Sequence, residues 1–207
     1  MESPTRRSQD QRRGEAEQRM LDAGVRLLAL NGPEKLTLTE VGKSAGYSRG
    51  LPAHHFGSRE QFLKALASHV AIEFDRTLTG VDRARGLVAT IEITRASLVQ
   101  LKENPTRGLA THIVMSDPRQ EQALSIEIAG LRDETLSLLA SHIADGIRDG
   151  EIRRDVAPGF AALFIASGIC GIIDSWLADP SLDVEKAGEQ LLCLIENGLA
   201  ARSREPT

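Results

Sequence analysis

The sequence predicts an all-α fold in two parts, on three observations. Apolar residues recur at intervals of three and four along most of the 207 residues. No stretch alternates with period two for long enough to need a sheet, and there is no internal repeat. Cap residues, glycines and prolines punctuate the chain at helix length, most densely between Thr37 and Phe62.

Taken in order, the first helix runs from about Arg12 to Asn31, with Met20, Ala23, Leu27 and Leu30 on one face, and Gly32-Pro33 ends it. Thr37 and Glu40 then form a capping box: a hydroxyl for an early backbone N–H, and a carboxylate reaching back. Val41 and Ala45 give this second helix a small apolar face. Gly46 stops it, because glycine enters the left-handed conformation without steric cost. Ser48 caps a third helix that runs to about Phe56 and ends at Gly57. Ser58 and Gln61 form a second capping box, opening a longer helix whose Phe62, Leu66, Val70 and Phe74 repeat at intervals of four.

Two short helices joined by a tight turn have the layout of a helix-turn-helix, whose second helix enters the major groove of DNA. The outward residues suit that use. Arg49 and Gly50 fall in the first turn of the second helix. An arginine there can donate two parallel hydrogen bonds to guanine O6 and N7, and a glycine lets the backbone approach the groove floor. His54 and His55 lie about one turn further on, within reach of bases or phosphates, and Arg59 sits where a cation meets the DNA backbone. Singly, each of these residues reads more readily as a surface charge or a packing residue than as a DNA contact; the spacing of the set points to DNA.

Residues from about Arg12 to Phe74 resemble the DNA-binding domain of the TetR family of transcriptional regulators. The resemblance rests on Ala45-Gly46-Tyr47-Ser48, Arg49-Gly50, His55-Phe56 and Ser58-Arg59-Glu60. It implies that Arg49, Gly50, Leu51 and His54 face the groove, beside the Ser48 cap, while Thr37, His55 and Arg59 face phosphates. It also implies that Phe56 is buried and pins the recognition helix. Two positions depart from the family, Pro52 and Ala53, where a Leu-Tyr pair is usual. Ala53 lacks the tyrosine hydroxyl, and Pro52 removes the first intrahelical hydrogen bond, so the helix begins tighter or later. The resemblance further implies a homodimer joined through its last two helices, a pseudo-palindromic operator, and a small-molecule inducer that lifts repression.

The remaining chain reads as helices over about Val81–Glu103, Thr106–Met115, a long one from the Asp117-Pro118 start to Asp149, then Pro158–Ala178 and Val184–Ala201. Leu124, Ile128, Leu131, Leu138 and Ile147 mark the long helix, and Gly150 ends it. The expected division is a flexible basic arm over 1–11, a three-helix helix-turn-helix domain over 12–78, and a helical ligand-binding and dimerisation domain over 79–207. Arg6, Arg7, Arg12 and Arg13 either touch DNA or form a solvated tail.

The net charge of −4 divides unevenly: residues 1–60 carry ten basic and eight acidic side chains, while residues 61–207 carry fifteen and twenty-one. The positive excess therefore travels with the helix-turn-helix. The polar, charged N-terminus has no signal-peptide pattern, which reads as cytoplasmic. Cys170 and Cys193 match no metal spacing and read as buried thiols. From Val156 to Ile173 only Asp155 and Asp174, at its edges, break an uncharged run whose small residues suit a subunit interface better than a membrane span. With Leu191, Leu194, Ile195 and Leu199 on the last helix, it would build a four-helix bundle with a second copy.

Ligand candidates on the central helices are His112, Met115, His142, Phe164 and Trp176, each also readable as ordinary core; Arg107 and Arg132 could pair with an acidic ligand. The chain has no H-E-x-x-H, no G-x-S-x-G, no phosphate-cradling glycine loop and no Glu-x-x-His pair, so nothing suggests an enzyme, a metal or a cofactor. The rival readings are a helical carrier or adaptor that binds no DNA, and an activator of the same family.

Overall fold

The structure is a computed structural model that describes residues 9–78, 84–116 and 122–201, with side chains described for 9–76, 84–114 and 132–201. The described residues form nine helices: α1 (Gln9–Asn31), α2 (Leu38–Ser44), α3 (Leu51–Phe56), α4 (Arg59–Leu78), α5 (Gly86–Glu103), α6 (Pro105–Ser116), α7 (Gln122–Asp149), α8 (Pro158–Ala178) and α9 (Val184–Leu199). The all-α expectation holds. Among the described residues the β pairing is limited to one isolated bridge, Ile152 with Ala200.

That bridge explains why α9 stops before Ala201. The Arg153 N–H donates to the Leu199 carbonyl at 2.9 Å and the Ala201 N–H to the Glu151 carbonyl at 2.8 Å, tying the end of α9 to the α7–α8 loop. At the other end of the chain, α1 starts at Gln9, inside the segment expected to be a flexible arm, so Arg12 and Arg13 stand on a helix. Arg6 and Arg7 lie outside the described residues, as do the Asp117-Pro118 helix start, residues 81–83, and the side chains of Met115, Leu124, Ile128 and Leu131.

Two apolar clusters hold the molecule. The first joins Met20, Leu21 and Leu28 of α1 to Phe62, Leu66 and Val70 of α4, with Leu36 and Val41 between them. Leu30 does not belong to it: it is 78% exposed. The second cluster joins Ile93, Leu139, Ile143, Ile165 and Ile195 across α5, α7, α8 and α9. Each such side chain contributes about 1.5–3 kcal/mol by leaving water. Thr90 and Thr94 are buried within α5, and their hydroxyls donate to the carbonyls of Gly86 and Thr90 at 2.9 and 2.8 Å, so no polar group is stranded there.

Packing crosses the expected boundary between the two parts. Ala110 and Val114 of α6 are buried in the first cluster, with Met20 and Phe62, although α6 lies far along the sequence. Phe74, near the end of α4, packs against the second cluster. His112 of α6 meets Asp174 of α8 at 2.8 Å, and Arg107 of α6 donates to Glu73 of α4 at 2.6 Å. Helix α6 is thus a member of the N-terminal core that also holds the C-terminal domain.

Candidate nucleic-acid interface

Thr37 stands in extended conformation as the cap of α2. Its hydroxyl oxygen accepts from the Glu40 N–H at 3.2 Å and donates to the Glu40 carboxylate at 3.0 Å. The hydroxyl proton is thereby committed to the cap, not presented to a phosphate. At the far end, Gly46 has φ +78°. Its N–H donates to the Lys43 carbonyl at 3.1 Å, and the Tyr47 N–H to the Gly42 carbonyl at 2.8 Å. These are the two crossed bonds of a glycine helix stop.

The turn that follows differs from expectation. Ser48 does not cap the recognition helix with its side chain; α3 begins at Leu51 with Gly50 as its cap. The Leu51 N–H reaches the Ser48 carbonyl at 3.2 Å, and the His54 N–H reaches the Gly50 carbonyl at 3.0 Å. Arg49 and Gly50 therefore occupy the turn before the helix. Pro52 is the cause. It has no N–H to donate and fits only in the first helical turn, so the helix begins around it. Pro52 is also buried against Gly42. A Cβ on Gly42 would lie 2.6 Å from the Ser48 carbonyl oxygen and 3.2 Å from Pro52 Cδ. Contact between α2 and α3 thus depends on a glycine facing a proline.

Three more expected DNA contacts turn inward. Leu51 is half-buried against the first cluster. His55 has a side chain only 10% exposed, its Nε2 lies 3.0 Å from Glu17 of α1, and its ring packs edge-on against Phe56. Arg59 spends its guanidinium on backbone, with Nε donating to the Leu36 carbonyl at 2.8 Å and Nη2 to the Pro33 carbonyl at 2.6 Å. It locks the α1–α2 loop to the start of α4. Phe56 is half-buried and not fully buried as expected, but it pins α3 by meeting Phe62 edge-to-face with centroids 4.9 Å apart.

The solvent face of the motif is then Ser48, Arg49, Gly50, Ala53 and His54, all exposed. Beside it, at the end of α2, stand exposed Lys43 and Ser44, which the sequence reading passed over. The pattern Gly42-Lys43-Ser44 held the signal: a lysine in the last turn of the helix that precedes the Arg49 turn. Arg49 and Lys43 make no hydrogen bond or ion pair among the described residues, so both charges are available to a partner.

In the C-terminal part, a cleft of about 460 Å³ lies between α5, the end of α8 and α9, with Leu98, Trp176 and Leu192 on its walls. A second, of about 370 Å³, lies between α4, α6 and α7. A third, of about 300 Å³, separates α7 from α8 and includes Arg132, Cys170 and Asp174. Of the expected ligand residues Trp176 lines the first, whereas His112, His142 and Phe164 line none of the three. Phe164 is 68% exposed on the outer face of α8, because the adjacent turns bury Ala162 and Ile165 instead. Met115 lies outside the described side chains. The cysteines are unbonded to each other, and Cys193 is exposed, not buried. Burial pushes the Cys170 thiol above its usual range, with Asp174 adding to the effect and Arg132 opposing it. Among the described residues no cluster of His, Cys, Asp and Glu could hold a metal ion.

A helix-turn-helix head with a free arginine at its turn, joined by α6 to a helical domain with clefts, defines a DNA-binding regulator. Residues 20–66 match the sequence pattern of the bacterial regulatory proteins of the tetR family. The match covers the helix-turn-helix and the helices that flank it, so this segment is a TetR-type DNA-binding head. Solved structures share the fold over almost the whole chain. A TetR-family regulator from Rhodococcus sp. is 24% identical with a TM-score of 0.73, covering 89% of this chain and 98% of its own. A regulator from Saccharomonospora viridis, solved with choline, is 19% identical with a TM-score of 0.78, covering 91% and 100%. AibR, solved with isovaleryl coenzyme A and operator DNA, is 16% identical with a TM-score of 0.73, covering 86% and 97%. No curated protein matches the sequence significantly.

Proposed function

We propose that the protein is a cytoplasmic, ligand-responsive repressor that binds a pseudo-palindromic operator as a homodimer and releases it when a small molecule occupies the C-terminal domain. The observation that carries the reading is the exposed Arg49-Gly50 turn, held rigidly by Pro52 on Gly42 and by Phe56 on Phe62. Preorganised in this way, Arg49 reads a guanine edge, Gly50 lets the chain approach, and His54 reaches a neighbouring base. Lys43 and Ser48 neutralise or bond phosphates on either side. Thr37, Leu51, His55 and Arg59 support this surface without being part of it.

Dimerisation is supported by the outer face of α8 and α9, where Phe160, Phe164 and Leu194 are 65%, 68% and 71% exposed. By length and composition α8 could also cross a membrane, with a mean hydropathy of 1.8 over its most apolar window. A second copy is the better cover, because α9 beside it carries exposed Glu185, Glu189 and Glu196, which lipid would exclude. Ligand control is supported by α6, whose Ala110 and Val114 sit in the head core while His112 is tied to α8. Relatives of this fold have been solved with choline and with an acyl coenzyme A, which favours small-molecule control without naming the effector.

The test is an electrophoretic mobility shift with the DNA upstream of the protein's own gene. The wild type should shift a palindromic segment in the presence of excess random DNA. Arg49→Ala should lose about 1–3 kcal/mol of that specific binding and relax one base position in each half-site. Absence of any sequence preference in the wild type would overturn the reading.

A further inference from the structure

The cleft between α5 and α9 has features that narrow what it binds. Leu98 faces Gly188, where a Cβ would lie 3.0 Å from Leu98 Cδ1, and Lys102 meets Glu185 at 2.7 Å across the mouth. Rising residue numbers on α9 therefore accompany falling numbers on α5, so the two walls run antiparallel. Five charged side chains line the cleft: Arg95 and Lys102 on α5, Asp183, Glu185 and Glu189 on the α9 side. Three are already committed. Lys102 and Glu185 neutralise each other, and the Asp183 carboxylate accepts from the Lys186 N–H at 3.0 Å as the cap of α9.

Arg95 and Glu189 remain. The nearest carboxylate to Arg95 is Glu92 on its own helix, at 3.7 Å, beyond hydrogen-bond distance. Glu189 makes no ion pair or hydrogen bond among the described residues. Counting helix rise from the Leu98–Gly188 contact, the two stand on opposite walls at levels about 3 Å apart along the axes. They do not pair with each other, so a gap separates a cation from an anion above an apolar floor of Leu98, Val99, Trp176 and Leu192. A polyanion would be repelled, because the five lining charges sum to −1.

We propose that this cleft binds an apolar zwitterion of amino-acid to dipeptide size, its carboxylate on Arg95, its ammonium on Glu189 and its side chains on the Leu98–Trp176 floor. The volume of about 460 Å³ lies within the range of ligand pockets, and a few polar groups over an apolar floor is their usual make-up. The proposal rests on the ligand-responsive reading above, and specifies the site and the chemistry of the effector.

Trp176 is the only tryptophan in the chain, so its fluorescence reports occupancy directly. Full-length protein is titrated with L-phenylalanine and L-leucyl-L-leucine, and with the N-acetyl and C-amide forms of each, which lack one charge. A saturable change with a zwitterion is expected. It should weaken roughly tenfold or more on loss of either ligand charge, in Arg95→Gln or in Glu189→Gln. Val99→Phe, at an exposed position on the wall, should abolish it while helicity by circular dichroism is unchanged. No saturable response to either zwitterion would overturn the proposal, as would equal response to the capped forms or indifference to both charge variants. The mobility shift is read in parallel on the same samples. Retained operator binding with no fluorescence response sinks only the cleft assignment, whereas no operator binding sinks the regulatory reading whatever the fluorescence shows.

Discussion

Arg49 and Arg59 lie ten residues apart in one motif and do opposite work. Arg49 is exposed and unpaired among the described residues, so its charge is available to a partner. Arg59 holds two backbone carbonyls, those of Leu36 and Pro33. Hydrogen bonds from charged groups are worth more than neutral ones, so Arg59→Ala should lower unfolding free energy by about 2–3 kcal/mol in urea titration. Its base preference, read by selection from random DNA, should match the wild type. The inward turn of His55 onto Glu17 belongs to the same lesson. A polar residue near a groove was legible from spacing, but which atoms it touches depends on α1, more than thirty residues upstream. Gly42→Ala is a sharper probe of the scaffold, because the added Cβ would meet a backbone oxygen that cannot swing away. It should cost about 1–3 kcal/mol and lower the melting temperature of the head. Cys170, half-buried with its thiol pushed up by burial, should resist alkylation at neutral pH until denaturant is added, as followed by mass spectrometry.

At the scale of elements, helices with chemical punctuation were the legible ones. The start and stop of α8, the Thr37 cap, the Gly46 stop and the Ser58 cap all stand where the residues place them. The start of α3 was less so. Serine was an adequate cap by composition, yet the burial of Pro52 against Gly42 moved the helix start two residues along, from Arg49 to Leu51. Tertiary packing decided between two locally acceptable caps. The α8–α9 connector carries a local device that offers a clean measurement. Asp179 is held below the usual carboxylate range by the Ser181 hydroxyl, at 2.7 Å, and then by the Ser181 N–H, at 3.0 Å. Ser181→Ala removes the first and leaves the second, so the Asp179 pKa should rise part of the way back. Carboxyl NMR titration reads this directly. Because the folded value is depressed, the contribution of Asp179 to stability is present above the unfolded carboxylate value and fades as pH falls through the folded one. A rise in the connector's acid sensitivity with no change in Asp179 titration would contradict the assignment.

At the scale of the whole molecule, the proposed repressor acts through the distance between two heads. One six-residue recognition helix reads too few bases to find a site alone, so affinity depends on a second head at fixed separation. In the proposed dimer α8 and α9 set that separation at one end, and α6, packed in the head core and tied to α8, sets it at the other. Phe164→Glu tests the first of these without touching the head. The side chain is 68% exposed in the single chain and packs beside Phe160, with ring centroids 6.4 Å apart. A charge there costs the monomer little, yet buries unpaired if a second copy covers it. The variant should keep its helicity and melt near the wild type at low concentration, but sediment as a monomer. Its affinity for a full palindrome should fall by about 10²–10⁴, the range expected when two linked sites become independent, while its affinity for a half-site stays the same. Loss of half-site binding as well would mean that α8 shapes the head directly. A dimer that survives the glutamate would place the subunit contact on some other face.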